Sequence, residues 1–470
     1  MLDETTKDLS SPTSRETWTD LLAEGRVPIL ALLVLGSWVV AADAMVVATI
    51  MPSIGASLDG YAWFGWAASL FLTGLVVAAA SANWLAERVG LRSALILGGT
   101  GLAIGCAISA ASAGIGSFLV GRAVQGCAAG WVSGLIYVAL ATLFPSRHLP
   151  RVFALITSIW AVATLSGPLL GGAFADAGAW RGVFWVFAGQ GLLFAAVTWV
   201  LIPANVGRGE NSKLPTRSLV LLTLSIGAIS AASVVANLPA AILLFSVGVL
   251  LFIGAIVSDR ANDNGVLPRA ATSPTFPLGA AYLTYFFSMA AGTSFTLYAP
   301  TLLHYRAGLS ALEAGYLVAI EALAWTAAAL AVSGAGEVWR SRLIVAGPMA
   351  ILVGTVGITL SINSGDLLAV AAGAAILGAG FGSCYSFISQ RIFSAFDDAS
   401  RARGSSAISA ARNSGGALGA AVAAIAANAA GFGEGLSDSN AAWVALGAFG
   451  SGIPFALAAL FFATRLVRAR

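Results

Sequence analysis

Four ionisable side chains interrupt long apolar stretches of this sequence: Asp43, Arg122, Glu321 and Arg412. Ionisable groups in apolar surroundings are rare and energetically costly, so each of them is a functional candidate. A carboxyl group in such a place can exchange a proton, and a neighbouring arginine favours its ionised form. These residue types therefore indicate proton and ion chemistry within the apolar part of the chain.

Asp43 and Arg122 are expected to lie close together. Asp43 is about nine residues from the end of the first predicted helix, and Arg122 is about six residues from the start of the fourth, which gives depths of roughly 13 and 9 Å. Burial raises the pKa of a carboxyl group, and a neighbouring arginine lowers it. A proton carrier needs both effects, because its charge must change with conformation. The alternative is a permanent structural ion pair. Gln125, one helical turn after Arg122, is placed to share this network.

Glu321 lies about ten residues, or roughly 15 Å, into the tenth predicted helix, with no intramembrane cation nearby in sequence. Such a carboxyl group can exchange a proton for a cationic substrate. The alternative is a neutral acid that is hydrogen-bonded to a structural partner. Arg412 and Asn413 lie in the thirteenth predicted helix toward the cytoplasmic side, where snorkelling of the arginine to the lipid headgroups is the preferred interpretation.

The composition identifies the elements that must hold these residues. Hydrophobic residues make up 58% of the 470 positions and charged residues only 10%, whereas soluble domains carry about 25% charged residues. The apolar runs are about twenty residues long, which is the length of a membrane-spanning helix. We therefore predict an all-α integral membrane protein. The sequence contains no nucleophile–histidine arrangement, metal-ligand cluster or phosphate-binding loop, so we predict no enzymatic activity, no metal and no cofactor.

The apolar runs predict about fourteen transmembrane helices in groups of six, two and six. Two six-helix bundles are thus joined by an inserted two-helix hairpin. The predicted domains are an N-terminal segment 1–27, a bundle 28–202, linkers with the inserted pair 203–276, and a second bundle 277–466. The predicted spans are 28–52, 62–85, 93–113, 116–142, 151–175, 181–202, 217–236, 239–258, 277–303, 311–334, 343–362, 366–390, 405–430 and 440–464.

The distribution of positive charge predicts that both termini are cytoplasmic. Twenty of the 24 lysines and arginines fall in segments that would then face the cytoplasm, whereas Arg181 and Arg306 face outward and two arginines lie within spans. This bias follows the positive-inside rule. The net charge of +3 is therefore a topology signal and does not indicate a nucleic-acid partner.

The fifth predicted helix carries a stripe of small residues, with Ala163, Gly167, Gly171 and Ala175 four positions apart. Residues at this spacing share one helix face and form a groove that a neighbouring helix can approach closely. Neighbouring helices can also accommodate a kink at Pro168. The alternative is ordinary helix packing without a role in transport.

A faint repeat relates the two halves of the chain. The segments 87–92 and 337–342 both place an acid five residues before an arginine, and each follows the second helix of its half. Internal repeats around a midplane site are the usual organisation of secondary transporters.

Five motifs in order give the sequence a family resemblance. They are Ala42–Pro52, Asn83–Arg92, Gly121–Gly130, Ser166–Gly172 and Asp176–Phe184. With them, the sequence resembles the major facilitator superfamily, specifically its fourteen-helix drug:proton antiporter branch. The resemblance implies an antiporter motif at Gly167, Pro168, Gly171 and Gly172, in which the groove at Gly167 and Gly171 packs against a helix of the other half of the chain. It also implies a gating loop at Glu87, Arg88, Gly90 and Arg92, in which Asn83 and Glu87 stand where the family usually has glycine and aspartate.

The resulting prediction is a proton-coupled exporter of small amphipathic or cationic compounds, acting as a monomer in a bacterial inner membrane. Its partners are the substrate, protons and lipid. Asp43, Glu321, Arg122 and Gln125 are the candidates for coupling and substrate recognition. Trp38, Tyr137 and Trp325, with Arg412 and Asn413, are the candidates for a pocket in which aromatic rings contact an apolar cation. The alternatives are a dedicated exporter of one metabolite or lipid-like product, and a transport-inactive scaffold or sensor.

Overall fold

A computed structural model describes residues 26–144, 149–204, 206–208, 214–235, 237–260, 277–395 and 398–468. The regular structure of these residues is helical. The helices are α1 Val27–Leu58, α2 Phe64–Val89, α3 Leu91–Ala110, α4 Ile115–Leu143, α5 Leu149–Asp176, α6 Trp180–Leu201, α7 Thr216–Ala232, α8 Leu238–Arg260, α9 Pro277–Ala307, α10 Ala311–Val332, α11 Glu337–Ser361, α12 Leu367–Ser394, α13 Asp398–Ala429, α14 Ala441–Gly450 and α15 Ile453–Arg468.

Every predicted span overlaps a helix of the structure, and α14 and α15 together occupy the last one. Eleven helical segments among the described residues are long and apolar enough to cross a membrane. Helix α7, with 17 residues, is shorter. The predicted all-helical architecture is thus confirmed, and the count of fourteen spans stays a prediction. Most of the predicted N-terminal segment 1–27 and parts of both linkers lie outside the described residues.

Glycines set the close spacing of the helices. A Cβ atom added at Gly126 or Gly130 of α4 would overlap the carbonyl oxygen of Phe71 or Leu75 in α2. Gly354 and Gly380 play the same part between α11 and α12. Apolar side chains gain little by leaving lipid for a helix interface, so association in a membrane depends on such close backbone packing.

Most of the helix contacts join helices of the same half of the chain. Helix α1 packs against α4, α5 and α6, while α3 and α4 pack against each other. Later in the chain, α9 packs against α13 and α15, and α12 packs against α10 and α11. Between the halves, α5 contacts α10, α2 contacts α13, and α1 contacts α9 and α10. These cross-contacts place α1, α5 and α10 side by side.

The helix pair α7–α8 lies beside the contact between α2 and α13. Ser225 Oγ in α7 donates to Gly248 O in α8 at 2.8 Å, which joins the pair. Val76, Leu222 and Ala417 share one buried apolar cluster, so α7 contacts both α2 and α13. The opposite face of α8 is exposed, with Leu250 67% accessible. An apolar face of this kind is suited to contact with lipid.

The end of the molecule that carries the loop between α1 and α2 is called here the first-loop end. Aromatic rings from separate segments meet there: Phe64 and Phe432 have centroids 5.1 Å apart, as do Tyr298 and Phe432. Asn428 Nδ2 donates to Ala62 O at 2.7 Å and to Ser233 O at 2.9 Å. The first-loop end is therefore packed shut by residues from both halves and from the α7–α8 pair.

Candidate functional site

Asp43, Arg122 and Gln125 form one buried network. Arg122 Nη1 donates to Asp43 Oδ2 at 2.9 Å and to Gln125 Oε1 at 2.6 Å. Gln125 Nε2 donates in turn to Cys106 Sγ at 3.2 Å. Asp43 and Gln125 are 0% exposed and Arg122 is 3% exposed. The predicted contact of Asp43 with Arg122, and the sharing of Gln125, are confirmed.

Neighbouring helices hold this network in place. A Cβ atom on Gly105 of α3 would lie 2.7 Å from Gln125 N, so glycine lets α3 and α4 meet at the level of Gln125. The guanidinium carbon of Arg122 lies 4.2 Å from the centroid of the Phe71 ring in α2, which is cation–π geometry. Sequence reasoning missed Phe71 and Cys106, because an apolar residue in an apolar run carries no signal of its own.

The network has unused hydrogen-bonding capacity. Asp43 Oδ1 and Arg122 Nε are buried, and neither has a hydrogen-bond partner among the described residues. A buried polar atom without a partner is costly, and such atoms are unusual in a purely structural ion pair. Oδ1 can accept a proton while Oδ2 keeps its contact with Arg122. The geometry therefore permits protonation of Asp43 at Oδ1 while the hydrogen bond from Arg122 to Oδ2 is kept.

Glu321 lies in α10 and faces α9. A Cβ atom on Gly378 or Gly382 of α12 would overlap the carbonyl oxygen of Glu321 or Trp325, so α12 rests on the backbone of α10. The Glu321 side chain meets Thr296 of α9, whose Oγ1 donates to Oε2 at 3.5 Å. This distance is at the limit of a hydrogen bond. The carboxyl group is half-buried and forms no ion pair with a described residue.

Aromatic rings line the region next to Glu321. The rings of Trp325 and Phe381 stack at 4.8 Å, Tyr385 meets Trp325 at 4.8 Å, and Tyr285 meets Tyr385 at 4.3 Å. These four residues are called the aromatic cluster below. Phe381 and Tyr385 are four positions apart and so share one face of α12. That spacing is a sequence signal, but it does not identify the helix that the face meets.

Of the aromatic residues predicted to line a pocket, only Trp325 belongs to this cluster. Trp38 in α1 is half-buried and packs against the main apolar core. Tyr137 in α4 is 48% exposed. The structure thus does not bring the three predicted aromatic residues into one contact group.

Arg412 is half-buried in α13. Its Nε atom is buried and has no partner among the described residues, and snorkelling of the rest of the guanidinium stays a prediction. Tyr285 and Tyr385 of the aromatic cluster lie within range of its charge. Helix α13 begins at Asp398, so Arg412 lies well inside the helix. Asn413 is half-buried.

The two glycines of the small-residue stripe in α5 face the same neighbour. A Cβ atom on Gly167 would lie 2.5 Å from Met45 Cβ, and one on Gly171 would lie 3.0 Å from Val46 O, so both glycines face α1. The expectation that Gly167 and Gly171 face the other half of the chain is therefore wrong. A shift of one position around the helix changes the neighbour, because successive residues are about 100° apart.

Pro168 and Gly172 make the contact with α10 instead. A Cβ atom on Gly172 would lie 2.6 Å from Leu312 Cα, and one on Gly315 would lie 2.9 Å from Pro168 Cβ. Asp176 Oδ1 accepts a hydrogen bond from Ala311 N at 3.0 Å, at the N-terminus of α10. A carboxylate is favoured there by the helix dipole. The motif thus joins α5 to α10 at the first-loop end.

The loop motif between α2 and α3 is held by local contacts. Gly90 has φ +87°, a conformation that suits glycine, and Leu91 N donates to Val206 O at 2.9 Å. Asn83 Nδ2 donates to Glu87 Oε1 at 2.9 Å, so the two residues that depart from the family pattern bond to each other. Arg92 lies over the Trp199 ring at 4.1 Å and Arg88 near the Trp84 ring at 5.5 Å.

Comparison with known proteins identifies the family. The sequence profile of the Major Facilitator Superfamily matches residues 33–420. The chain belongs to this superfamily. It is 30% identical over 445 residues, covering 90% of this chain and 92% of the relative, to a protein named as a probable multidrug-efflux transporter in two strains of Mycobacterium tuberculosis. The chain is accordingly a multi-pass membrane protein of a transporter family.

Solved structures share the fold. A D-xylose–proton symporter has a TM-score of 0.65 at 17% identity and covers 93% of this chain and 97% of its own. A mutant of a POT peptide transporter, in complex with alafosfalin, has a TM-score of 0.67 at 15% identity and covers 94% and 95%. These identities are low, so the likeness concerns the fold alone.

Proposed function

We propose that this chain is a proton-coupled exporter of small amphipathic or cationic compounds in a bacterial plasma membrane. The observation that carries the proposal is the buried Asp43–Arg122 pair, whose second carboxylate oxygen is open to a proton. The similarity to probable multidrug-efflux transporters over 90% of the chain supports export. Intramembrane ionisable residues of this kind are typical of proton pathways.

The proposed mechanism is alternating access between two bundles of six spans each, α1–α6 and α9–α15, in which α14 and α15 together form one span. The first-loop end is packed shut by the α5–α10 contact and by the aromatic rings at Phe64 and Phe432. With the first-loop end facing outward, this structure would be the state closed to the outside. Protonation of Asp43 would weaken its attraction to Arg122 in α4 and so change the relative stability of the two states.

The membrane potential supplies energy for this cycle. One elementary charge that moves through 100 mV gains about 2.3 kcal/mol. Proton entry can therefore drive uphill export without a nucleotide. Glu321 would contribute a second acidic site, beside the aromatic cluster, at which a cationic substrate is recognised.

Transport in liposomes tests the coupling. Purified protein is reconstituted with an internal pH dye, and proton movement is measured when ethidium, a flat apolar cation, is added. We expect Asp43→Asn to abolish substrate-driven proton movement, because an amide cannot exchange a proton. The matched control is Asp366→Asn, since Asp366 is an exposed helix cap whose role asparagine can fill. Wild-type exchange by Asp43→Asn would overturn the role of Asp43.

A parallel pair of variants tests Glu321. We expect Glu321→Gln to lose transport of divalent cations first and of neutral compounds least. Glu313→Gln is the control on the same helix, because Glu313 belongs to an exposed capping box that glutamine also completes. Equal losses for cationic and neutral compounds would contradict substrate recognition by Glu321.

Cysteine labelling tests the orientation. Single cysteines at Asp59 and Glu434, both exposed at the first-loop end, should react with an impermeant reagent added outside the cell. Reaction only from the cytoplasmic side would reverse the proposed topology.

A further inference from the structure

The region around Arg412 contains buried hydrogen-bond donors that no acceptor satisfies. Arg412 Nε and Tyr385 Oη are both buried without a partner among the described residues. Tyr385 is only 8% exposed and lies within electrostatic range of Arg412. No ion pair joins Arg412 to a described carboxylate. Buried donors are normally satisfied, so their coincidence here requires an explanation.

Tyr285, the neighbouring tyrosine, is hydrogen-bonded, unlike Arg412 Nε and Tyr385 Oη. Tyr285 Oη donates to Tyr385 O at 2.6 Å and also contacts Ser389 Oγ. The hydrogen bond of Tyr285 to the Tyr385 backbone helps to hold Tyr385 in position. The Tyr385 hydroxyl itself stays available as a donor. A guanidinium and a phenol hydroxyl that lie in one region without an acceptor are suited to a carboxylate or another oxyanion.

An acidic side chain also borders these rings. Tyr385 is within electrostatic range of Glu321 as well as of Arg412, and Trp325 and Phe381 provide a flat apolar surface in the same region. One region thus offers an acid, stacked rings and an unpaired arginine. A ligand that matches all three has a cationic group, an aromatic body and an anionic group.

We propose that Arg412 and Tyr385 form an anion-recognition subsite, so that the transported class includes zwitterionic aromatic amphiphiles. The inference rests on the proposed transport function and deepens it. Binding is arranged with the cationic group toward Glu321 and the anionic group toward Arg412. Arg412 acts here as a specificity-determining residue and takes no part in carrying protons.

Two dyes that differ in one methyl group test this subsite. Rhodamine 110 has a free carboxylate, and rhodamine 123 is its methyl ester, so only the first presents an anion. Fluorescence anisotropy measures the Kd of each for purified full-length protein. We expect Arg412→Gln to raise the Kd of rhodamine 110 at least tenfold, equivalent to about 1.4 kcal/mol, and that of rhodamine 123 less than twofold.

Further variants control for folding and for non-specific charge effects. Arg412→Lys should recover part of the affinity for rhodamine 110, since it keeps the charge but not the planar fork. Tyr385→Phe removes only a hydroxyl and should raise the Kd of rhodamine 110 about threefold; it decides the question if Arg412→Gln does not fold. Arg465→Gln, at an exposed arginine, should leave both dyes unchanged.

The outcomes separate this inference from the transport function. Two results would overturn the anion subsite while export of cations stands. One is an equal change in the Kd of both dyes in Arg412→Gln, and the other is an unchanged ratio of the two Kd values in Tyr385→Phe. Wild-type protein that binds rhodamine 123 but not rhodamine 110 would also overturn it. Failure to bind or transport either dye would instead contradict the proposed export function.

Discussion

The contact between Gly172 and α10 makes a quantitative prediction possible. In Gly172→Ala the new methyl group would lie 2.6 Å from Leu312 Cα and 2.8 Å from Leu312 N. Ordinary contact between carbon atoms requires about 3.5–4.0 Å, so α5 and α10 must separate by roughly 1 Å. The clash is with backbone, which no change of rotamer can relieve. The variant should therefore disfavour the state that is closed at the first-loop end.

The magnitude follows from two terms. Overpacking at a tight contact costs about 1–3 kcal/mol. A separation of roughly 1 Å also lengthens the hydrogen bond from Ala311 N to Asp176 Oδ1, which is 3.0 Å in the structure, beyond bonding distance and costs about 1 kcal/mol more. The sum of about 2–4 kcal/mol shifts the equilibrium between closed and open states by about 30- to 900-fold.

Distance measurement between spin labels tests this shift. The labels are placed at Ala177 and Ser439, both exposed at the first-loop end, in a background in which Cys106, Cys127 and Cys384 are replaced by alanine. We expect a longer distance to become populated in Gly172→Ala and transport to fall.

Gly189→Ala is the matched control, because a Cβ atom there meets nothing within 4 Å. It should give the wild-type distance distribution. Gly171→Ala is a second comparison, since Gly171 faces α1 and its substitution should change stability more than the distance. A wild-type distribution in Gly172→Ala would refute the reasoning, because closure at this end would then not depend on the α5–α10 contact.

Three further predictions follow from local geometry. Gly90→Ala should lower the thermal midpoint of the purified protein, because φ +87° costs a residue with a Cβ atom about 1 kcal/mol or more; an unchanged midpoint would contradict the strained turn. Phe71→Leu should weaken proton-coupled transport several-fold at unchanged expression, because it removes the ring beneath Arg122. A desolvated cation–π contact of this kind contributes about 1–2 kcal/mol. Wild-type transport by this variant would show that the ring serves only in packing. Asn428→Leu should increase hydrogen exchange at Ala62 and in the nearby aromatic residues, because it removes both hydrogen bonds of Asn428; unchanged exchange there would show that these bonds do not hold the first-loop end.

The sequence alone determined the class of the protein and the positions of its helices. Runs of about twenty apolar residues have one stable form in lipid, because the backbone must satisfy its own hydrogen bonds there. Depth is also readable from sequence, since a helix rises about 1.5 Å per residue. For this reason the contact between Asp43 and Arg122 was predictable, and so was the inclusion of Gln125 one turn away.

The tertiary structure decided which faces of the helices meet. A stripe of small residues predicts close approach but not the partner, so Gly167 and Gly171 were assigned to the wrong neighbour while Gly172 makes the contact with α10. In the same way, the sequence alone did not show that the Nε atom of Arg412 is buried. Helix rotation and pairing depend on contacts between residues far apart in the chain, and the local pattern of a single helix does not contain them.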